Sequence, residues 1–404
     1  MNKLVRRLVV INMLITLIIM SAVTGCWSRR EIETLAIVSG VGVDLVEVDG
    51  KRMYRFTAQV VKPGQLAGGE AAGGRGGGGV QKPYLVSSTL GKTIWEAERN
   101  FTTQTSRKMF LSHTEVVVIG EKLAREGIQP VLEFIQRKHD FRETTLLLVA
   151  MGPADTTLMA AAGLEKVTAR DISDMVVNTR RASVSFPLVT REAISMLQSS
   201  GSQAILPRVI HIPYGHKGVP TGLRLNGAAV FKKDKLVGWL TPEETRGWMW
   251  VTKRVVSGVV PIPVPGKPGE NRISTEISRA TASITPSIKN GRLVIKVKIN
   301  EEGGVGEIPA PGLDPTEPEV VQQMEQFLAE AIRREVLAAL RRAQEEYRSD
   351  IFGFGDTVHR AYPKVWKKME KRWNEEFFPN LEVRVEVEAS IRRVGMSGKA
   401  LSPK

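Results

Sequence analysis

A single cysteine in 404 residues, Cys26, has the surroundings that say most about chemistry. It follows the small residues Val23-Thr24-Gly25, the kind a leader peptidase requires at its cut. Upstream, Lys3, Arg6 and Arg7 form a short basic region, and Leu8 to Ala22 is apolar except at Asn12, Thr16 and Ser21. Those 15 residues rise about 22 Å as a helix, short of a ~30 Å hydrocarbon core. The run therefore predicts a secretory leader over 1–25 and not a permanent span. With one cysteine, an intramolecular disulfide and a Cys-based metal site are both excluded.

The junction resembles the bacterial lipoprotein box. That resemblance implies a Cys26 with an S-diacylglycerol on its sulfur and an N-palmitoyl chain on its new α-amino group. Two acyl chains hold a protein stably at a bilayer without a spanning helix.

The remaining reactive side chains form no constellation. His113, His139, His211, His216 and His359 include no H-x-x-x-H pair. His113-Thr114-Glu115 matches the H-x-E of zinc deaminases, but the P-C-x-x-C that must accompany it is missing. His113 reads instead as a polar residue at the start of a buried strand. Neither a G-x-S-x-G elbow nor a G-x-x-x-x-G-K-[ST] loop occurs. A G-x-G-x-x-G falls at Gly74, Gly76 and Gly79, inside a tract, Gly64 to Gly79, so rich in glycine that the match is nearly inevitable. The tract itself predicts a flexible loop over 63–80. Glu243-Glu244 and Glu375-Glu376 read as solvated helix positions. No catalytic, cofactor or metal residue is assigned, and the chain reads as a non-enzyme.

One surface stretch combines aromatic and basic residues at helical spacing. Trp366, Met369, Trp373 and Phe377 share one helix face, while Lys364, Lys367, Lys368, Lys371 and Arg372 fill much of the rest. Such a helix either rests on anionic lipid or packs its aromatics on a sheet and solvates its lysines; the second reading is favoured. Loss of 1–25 leaves a net charge of +11 of the original +14. Outside the cell the obvious anionic partner is the headgroup surface. Neither zinc-finger spacing nor an RNA-binding aromatic signature supports nucleic acid.

The elements that position these residues read as α+β, or mixed α/β, in three domains after the leader. An N-terminal mixed domain over 26–200 contains strands at Ile32–Val43, at Tyr54–Val60, at Val116-Val117-Val118-Ile119 and at Leu146-Leu147-Leu148-Val149. Its helices are expected near Thr93–Thr105, Pro130–Lys138, Pro153–Ala162, Asp171–Asn178 and Leu188–Leu197. A middle domain over 201–268 holds apolar runs at Leu223–Phe231 and Leu236–Leu240, then a linker at Pro261, Pro263, Pro265 and Pro268. The C-terminal domain over 269–396 opens with two alternating runs around Asn290-Gly291, a hairpin signal. Asp314-Pro315-Thr316-Glu317 is expected to start a long helix reaching Ser349. A shorter helix from Pro363 and a strand at Leu381–Val394 complete an antiparallel sheet covered by helices, with 397–404 as a tail.

At this level the chain resembles the Ger(x)C family, the lipoprotein C subunits of spore germinant receptors. The resemblance rests on Gly25-Cys26-Trp27-Ser28-Arg29-Arg30-Glu31-Ile32 and Gly40-Val41-Gly42-Val43-Asp44. It recurs in order at Ser112–Gly120, Leu123–Ile128, Gly227–Lys232, Leu236–Leu240, Phe352-Gly353-Phe354-Gly355, Tyr362–Trp366 and Trp373-Asn374. It implies a three-domain protein on the outer surface of the spore inner membrane, partnered by membrane A and B subunits and required for the response to nutrients. Of functional positions it carries over Cys26 alone. The glycine tract is where this chain departs most from the family. Two other readings compete: a solute-binding lipoprotein that holds the nutrient itself, and an exported hydrolase. The first needs two doubly wound lobes, which the C-terminal pattern opposes; the second needs a deep pocket of convergent acids or histidines.

Overall fold

The computed structural model describes residues 3–23, 34–66, 82–212, 222–266, 272–310 and 313–393. Cys26 lies outside the described residues, as do Gly74, Gly76, Gly79, His216 and Pro268. The leading apolar run forms α1 (Lys3–Val23), and among the described residues no helix is long and apolar enough to cross a membrane.

The body begins with β1 (Leu35–Val48), β2 (Lys51–Val61), α2 (Pro63–Leu66), β3 (Tyr84–Gly91), α3 (Ile94–Asn100) and β4 (Lys108–Phe110). It continues through β5 (Val116–Ile119), α4 (Glu121–Glu126), α5 (Gln129–Arg137), β6 (Leu146–Met151), α6 (Ala154–Met159), α7 (Thr168–Asn178) and α8 (Thr190–Gln198). Then come β7 (Ile205–His211), β8 (Leu223–Lys232), β9 (Lys235–Leu240), α9 (Pro242–Val251) and β10 (Val259–Pro263). The last elements are β11 (Arg272–Lys289), β12 (Arg292–Glu307), α10 (Pro318–Arg341), α11 (Phe354–Ala361), α12 (Pro363–Met369) and β13 (Glu382–Arg393).

The first nine strands form one mixed sheet in the order β3-β2-β1-β5-β6-β7-β8-β9, with β4 beside the start of β1. Its centre, β1, β5, β6 and β7, is parallel. The runs Val116–Ile119 and Leu146–Val149 are buried along their length, as parallel strands covered on both faces must be. Helices α3, α4, α5 and α8 pack on the face of Val117, Ile119, Leu147 and Val149, and α6 and α7 on the face of Val116, Val118 and Leu148.

Residues 201–240, expected within a separate middle domain, extend this same sheet: β7 pairs with β6, and β8 and β9 follow antiparallel. A short apolar run carries no information about which strand edge it will join, so sheet continuity is invisible locally. Pro261 and Pro263, read as linker, lie in β10, the edge strand of the second sheet, where a missing backbone donor is tolerated.

The second sheet has the order β10-β11-β12-β13. Asn290 and Gly291 turn the hairpin with φ of 49° and 76°, the paired left-handed values that match strand twist. This sheet is mixed, not antiparallel: β13 runs parallel to β12, from Val294 beside Glu382 to Gly304 beside Arg393. The helical crossover explains it, because α10 returns the chain to the end where β12 began. Helix α10 starts at Pro318, later than expected; the Asp314 carboxylate accepts from the Thr316 N–H at 3.0 Å and shapes a local turn instead. Beyond Arg341 a wider π-turn carries the helix to Tyr347.

One glycine at the rim of the first sheet is fixed by a buried acid. Asp44, at the end of the Gly40–Asp44 motif, is buried and accepts the N–H groups of Ala154 at 2.7 Å and Asp155 at 3.1 Å. Burial pushes its carboxyl up to about 6, against those two donors. A Cβ on Gly120 would stand 1.9 Å from Asp44 Oδ1, so glycine is required where β5 passes into α4. Gly120→Ala should therefore destabilise the fold by about 2–3 kcal/mol through overpacking. A calorimetric midpoint equal to wild type would show that Asp44 gives way without cost.

Candidate functional site

The parallel strands β1, β5, β6 and β7 all begin at one end of the first sheet, and a cleft of about 740 Å³ opens there. Ser39, His113, Thr114, Glu115, Arg142 and Arg170 stand among its walls. Glu115 pairs with Arg170 at 3.1 Å, and Arg170 also reaches Asp174 at 3.1 Å. Burial raises the Glu115 carboxyl above the ordinary range, and Arg170 pulls it back. The exposed His113 ring lies edge-on to Phe110 at 5.4 Å. Within the cleft Glu115 is thus engaged by Arg170, and His113 packs on Phe110. Arg142 has no carboxylate partner among the described residues, and these contain no group of three potential metal ligands.

Two further clefts, each of about 460 Å³, prolong the first along the same end. Arg142 belongs to the first two, and Gln136, Ile194 and Gln198 join the second to the third, which ends at Lys233 and Asp234. A long shallow groove of this kind suits an extended segment better than an enclosed small molecule.

Three of the four carboxylates in the two pairs have structural partners. Glu244 completes a capping box with Thr241 at the start of α9. Glu375 pairs with Lys232 and Glu376 with Arg372, at 2.8 and 2.7 Å. On α12 and the turns after it, Trp366 and Trp373 are fully buried and 5.2 Å apart, so the aromatic face packs inward as expected. Lys364, Lys367, Lys368 and Lys371 are exposed.

Sequence reasoning passed over Asp350, the buried residue that holds this region together. Its Oδ1 accepts from the N–H groups of Phe352, Gly353 and Phe354 at 3.1, 3.0 and 3.2 Å. Its Oδ2 accepts from Gly355 at 2.8 Å and from Trp373 Nε1 at 2.9 Å. Burial pushes the carboxyl up to about 6, while the donors pull it down. An aspartate just before Phe-Gly-Phe-Gly was the available signal: glycine at Gly353, with φ of 72°, lets the backbone wrap the carboxylate.

Residues 28–210 match the model of the spore germination protein N-terminal domain, and residues 226–395 that of the spore germination B3/GerAC-like C-terminal domain. The chain belongs to the Ger(x)C family. It is 29% identical over 403 residues to spore germination protein KC of Bacillus subtilis (strain 168), covering 96% of both chains. It is 25% identical over 385 residues to spore germination protein B3 of the same organism, covering 94% of this chain and 96% of that one. The crystal structure of the GerBC protein has the same fold, with a TM-score of 0.57 and 20% identity over 87% of this chain and 97% of that chain. The named relatives are spore germination proteins, which supports a germination role for this chain.

Within this Ger(x)C chain, Glu301 is the other charge that sequence left unread. It lies on β12 facing inward with Val297 and Ile299, 1% exposed, and both carboxylate oxygens lack a hydrogen-bond partner among the described residues. Its Oε1 lies over Gly303, where a Cβ would come within 2.5 Å of it. Burial, with Glu302 adjacent, pushes its carboxyl from 4.5 up to about 8. The folded chain thus holds a proton that the unfolded chain releases between those values. Stability from this site is unaffected below about 4.5, falls as pH rises toward 8, and is flat above. Glu301→Gln should match wild type near pH 5 and melt higher at pH 8. Parallel melting-temperature profiles for the two proteins would refute the assignment.

Proposed function

We propose that this chain is a non-enzymatic, lipid-anchored subunit of a nutrient germinant receptor, acting through contacts with membrane-embedded A and B subunits. The observation that carries this reading is the match of both halves of the chain to germination families, 28–210 and 226–395. The Val23-Thr24-Gly25-Cys26 junction supports acylation at Cys26 and a place on the outer face of the cytoplasmic membrane, which in the spore is the inner membrane. His113 packed on Phe110, Glu115 paired with Arg170, and other carboxylates engaged in caps and ion pairs support work by contact and not by catalysis. Cys26→Ala should move the chain from the membrane fraction to the soluble fraction and slow nutrient-triggered germination, with an unchanged melting temperature for the body. A variant that stays membrane-bound and fully active would remove the lipid from the account.

The charged walls of the 740 Å³ cleft favour a second reading in which the chain also holds the nutrient. Calorimetric titration with amino acids and sugars decides between them: saturable micromolar heats abolished by Arg142→Ala support nutrient binding, and flat titrations leave contact with partners as the function.

A further inference from the structure

Charge is concentrated on one short segment. Between Arg360 and Arg372 there are six basic residues and one acidic one, a net +5 within a chain of net +14. Arg372 is engaged by Glu376 at 2.7 Å, but Lys364, Lys367, Lys368 and Lys371 have no carboxylate partner among the described residues. They are also held rigidly. Trp366 and Trp373 are buried beneath them, with Trp373 bonded to Asp350, so the lysines project from a fixed helix and turn.

The position of this face matters as much as its charge. The Gln203 N–H, just before β7, donates to the Asp350 carbonyl at 2.8 Å, and the Asp356 N–H donates to Gly201 at 3.1 Å. Lys232, at the β8–β9 turn, meets Glu375 at 2.8 Å. These contacts place α11 and α12 at the strand-start end of the first sheet. β1 also starts there, at Leu35, because β1, β5, β6 and β7 are parallel. Three strand spacings of about 4.8 Å separate β1 from β7, or about 15 Å. Nine residues from Cys26 to Leu35 reach at most about 30 Å. The tether therefore starts from the same end of the sheet against which α11 and α12 pack.

We propose that this end of the molecule lies against an anionic bilayer surface, with Lys364, Lys367, Lys368 and Lys371 on phosphate-bearing lipid headgroups. The contact is electrostatic and shallow, since the aromatic residues that would insert are used in the core. It rests on the reading of Cys26 as the anchor, because the tether sets the distance to the bilayer. Each lysine near such a surface contributes about fivefold in binding, so reversal of three weakens the contact by at least about 100-fold.

The processed, acylated chain carrying Lys368→Cys is labelled with a fluorophore and reconstituted into vesicles of phosphatidylcholine alone or with phosphatidylglycerol. Headgroup spin-labelled lipid should quench the label strongly in the anionic vesicles and weakly in the neutral ones. The quenching should vanish in about 0.5 M salt and on adding Lys364/Lys367/Lys371→Glu. Equal quenching in both vesicles, or quenching that survives charge reversal, overturns the proposal. So does an unquenched label in every vesicle, the result expected if the lysines meet an acidic protein face instead. Failure of the anchor reading shows separately, as labelling of Cys26 itself and no flotation with neutral vesicles. In that case flotation with anionic vesicles that charge reversal abolishes still supports the lysine face, and its absence overturns it.

Discussion

A carboxylate without access to water holds the two halves of this molecule in register. Asp350 accepts five hydrogen bonds, four from the backbone of Phe352 to Gly355 and one from Trp373. A buried anion is tolerated only where donors replace its hydration, and leaving any of them unmatched costs several kcal/mol. The backbone of the same residue serves the other half: its carbonyl takes Gln203 ahead of β7, and its N–H reaches Asn374 at 2.8 Å. Ser349 donates to Phe231 of β8 at 2.5 Å. A single residue pair at 349–350 thus fixes how the C-terminal helices sit on the first sheet, and Gly201 and Gly355 are small because the two backbones meet there.

The same junction is sealed by apolar packing. One continuous cluster runs from Val117 and Leu147 in the first sheet through Trp248 and Trp250 of α9 to Ile295 and Val297 in the second. Gly247 lets α9 cross α10 so closely that a Cβ would lie 2.1 Å from the Glu335 carbonyl. Glu335 in turn pairs with Arg246 and accepts from Trp250 Nε1 at 3.0 Å. A two-lobed solute-binding protein closes about flexible strands between separate cores. Here a shared core and a partly buried ion pair span the place where such a hinge would be, which favours a body that moves as a unit.

Much of the architecture was legible because its signals are local. Val116–Ile119 and Leu146–Val149 announce buried strands, Asn290-Gly291 announces a hairpin, and the tryptophan spacing at 366 and 373 announces a packed face. What stayed hidden depends on partners distant in sequence. Nothing near Leu223 says that β8 will join β7, and nothing near Glu382 says that β13 will run parallel to β12. Asp350 and Glu301 illustrate the limit from both sides. Each is an ordinary acid in sequence, and burial gives one five donors and the other none. The lysines of α12 were visible as charge, but their lack of carboxylate partners and their side of the molecule emerge only from the fold.

That side gives the proposed tether its meaning. A lipid on Cys26 alone confines the body to within about 30 Å of the bilayer and leaves its orientation free. A second, weak contact on the same end removes most of that freedom, because the tether already supplies a high local concentration of headgroups. The groove that begins beside Glu115 and ends near Lys233 opens at this same end. In the proposed receptor it would meet segments of the membrane subunits where they emerge from the lipid. Electrostatic seating would set the height of the groove above the bilayer, so that the same four lysines, touching no partner, would govern which part of a partner the groove can reach.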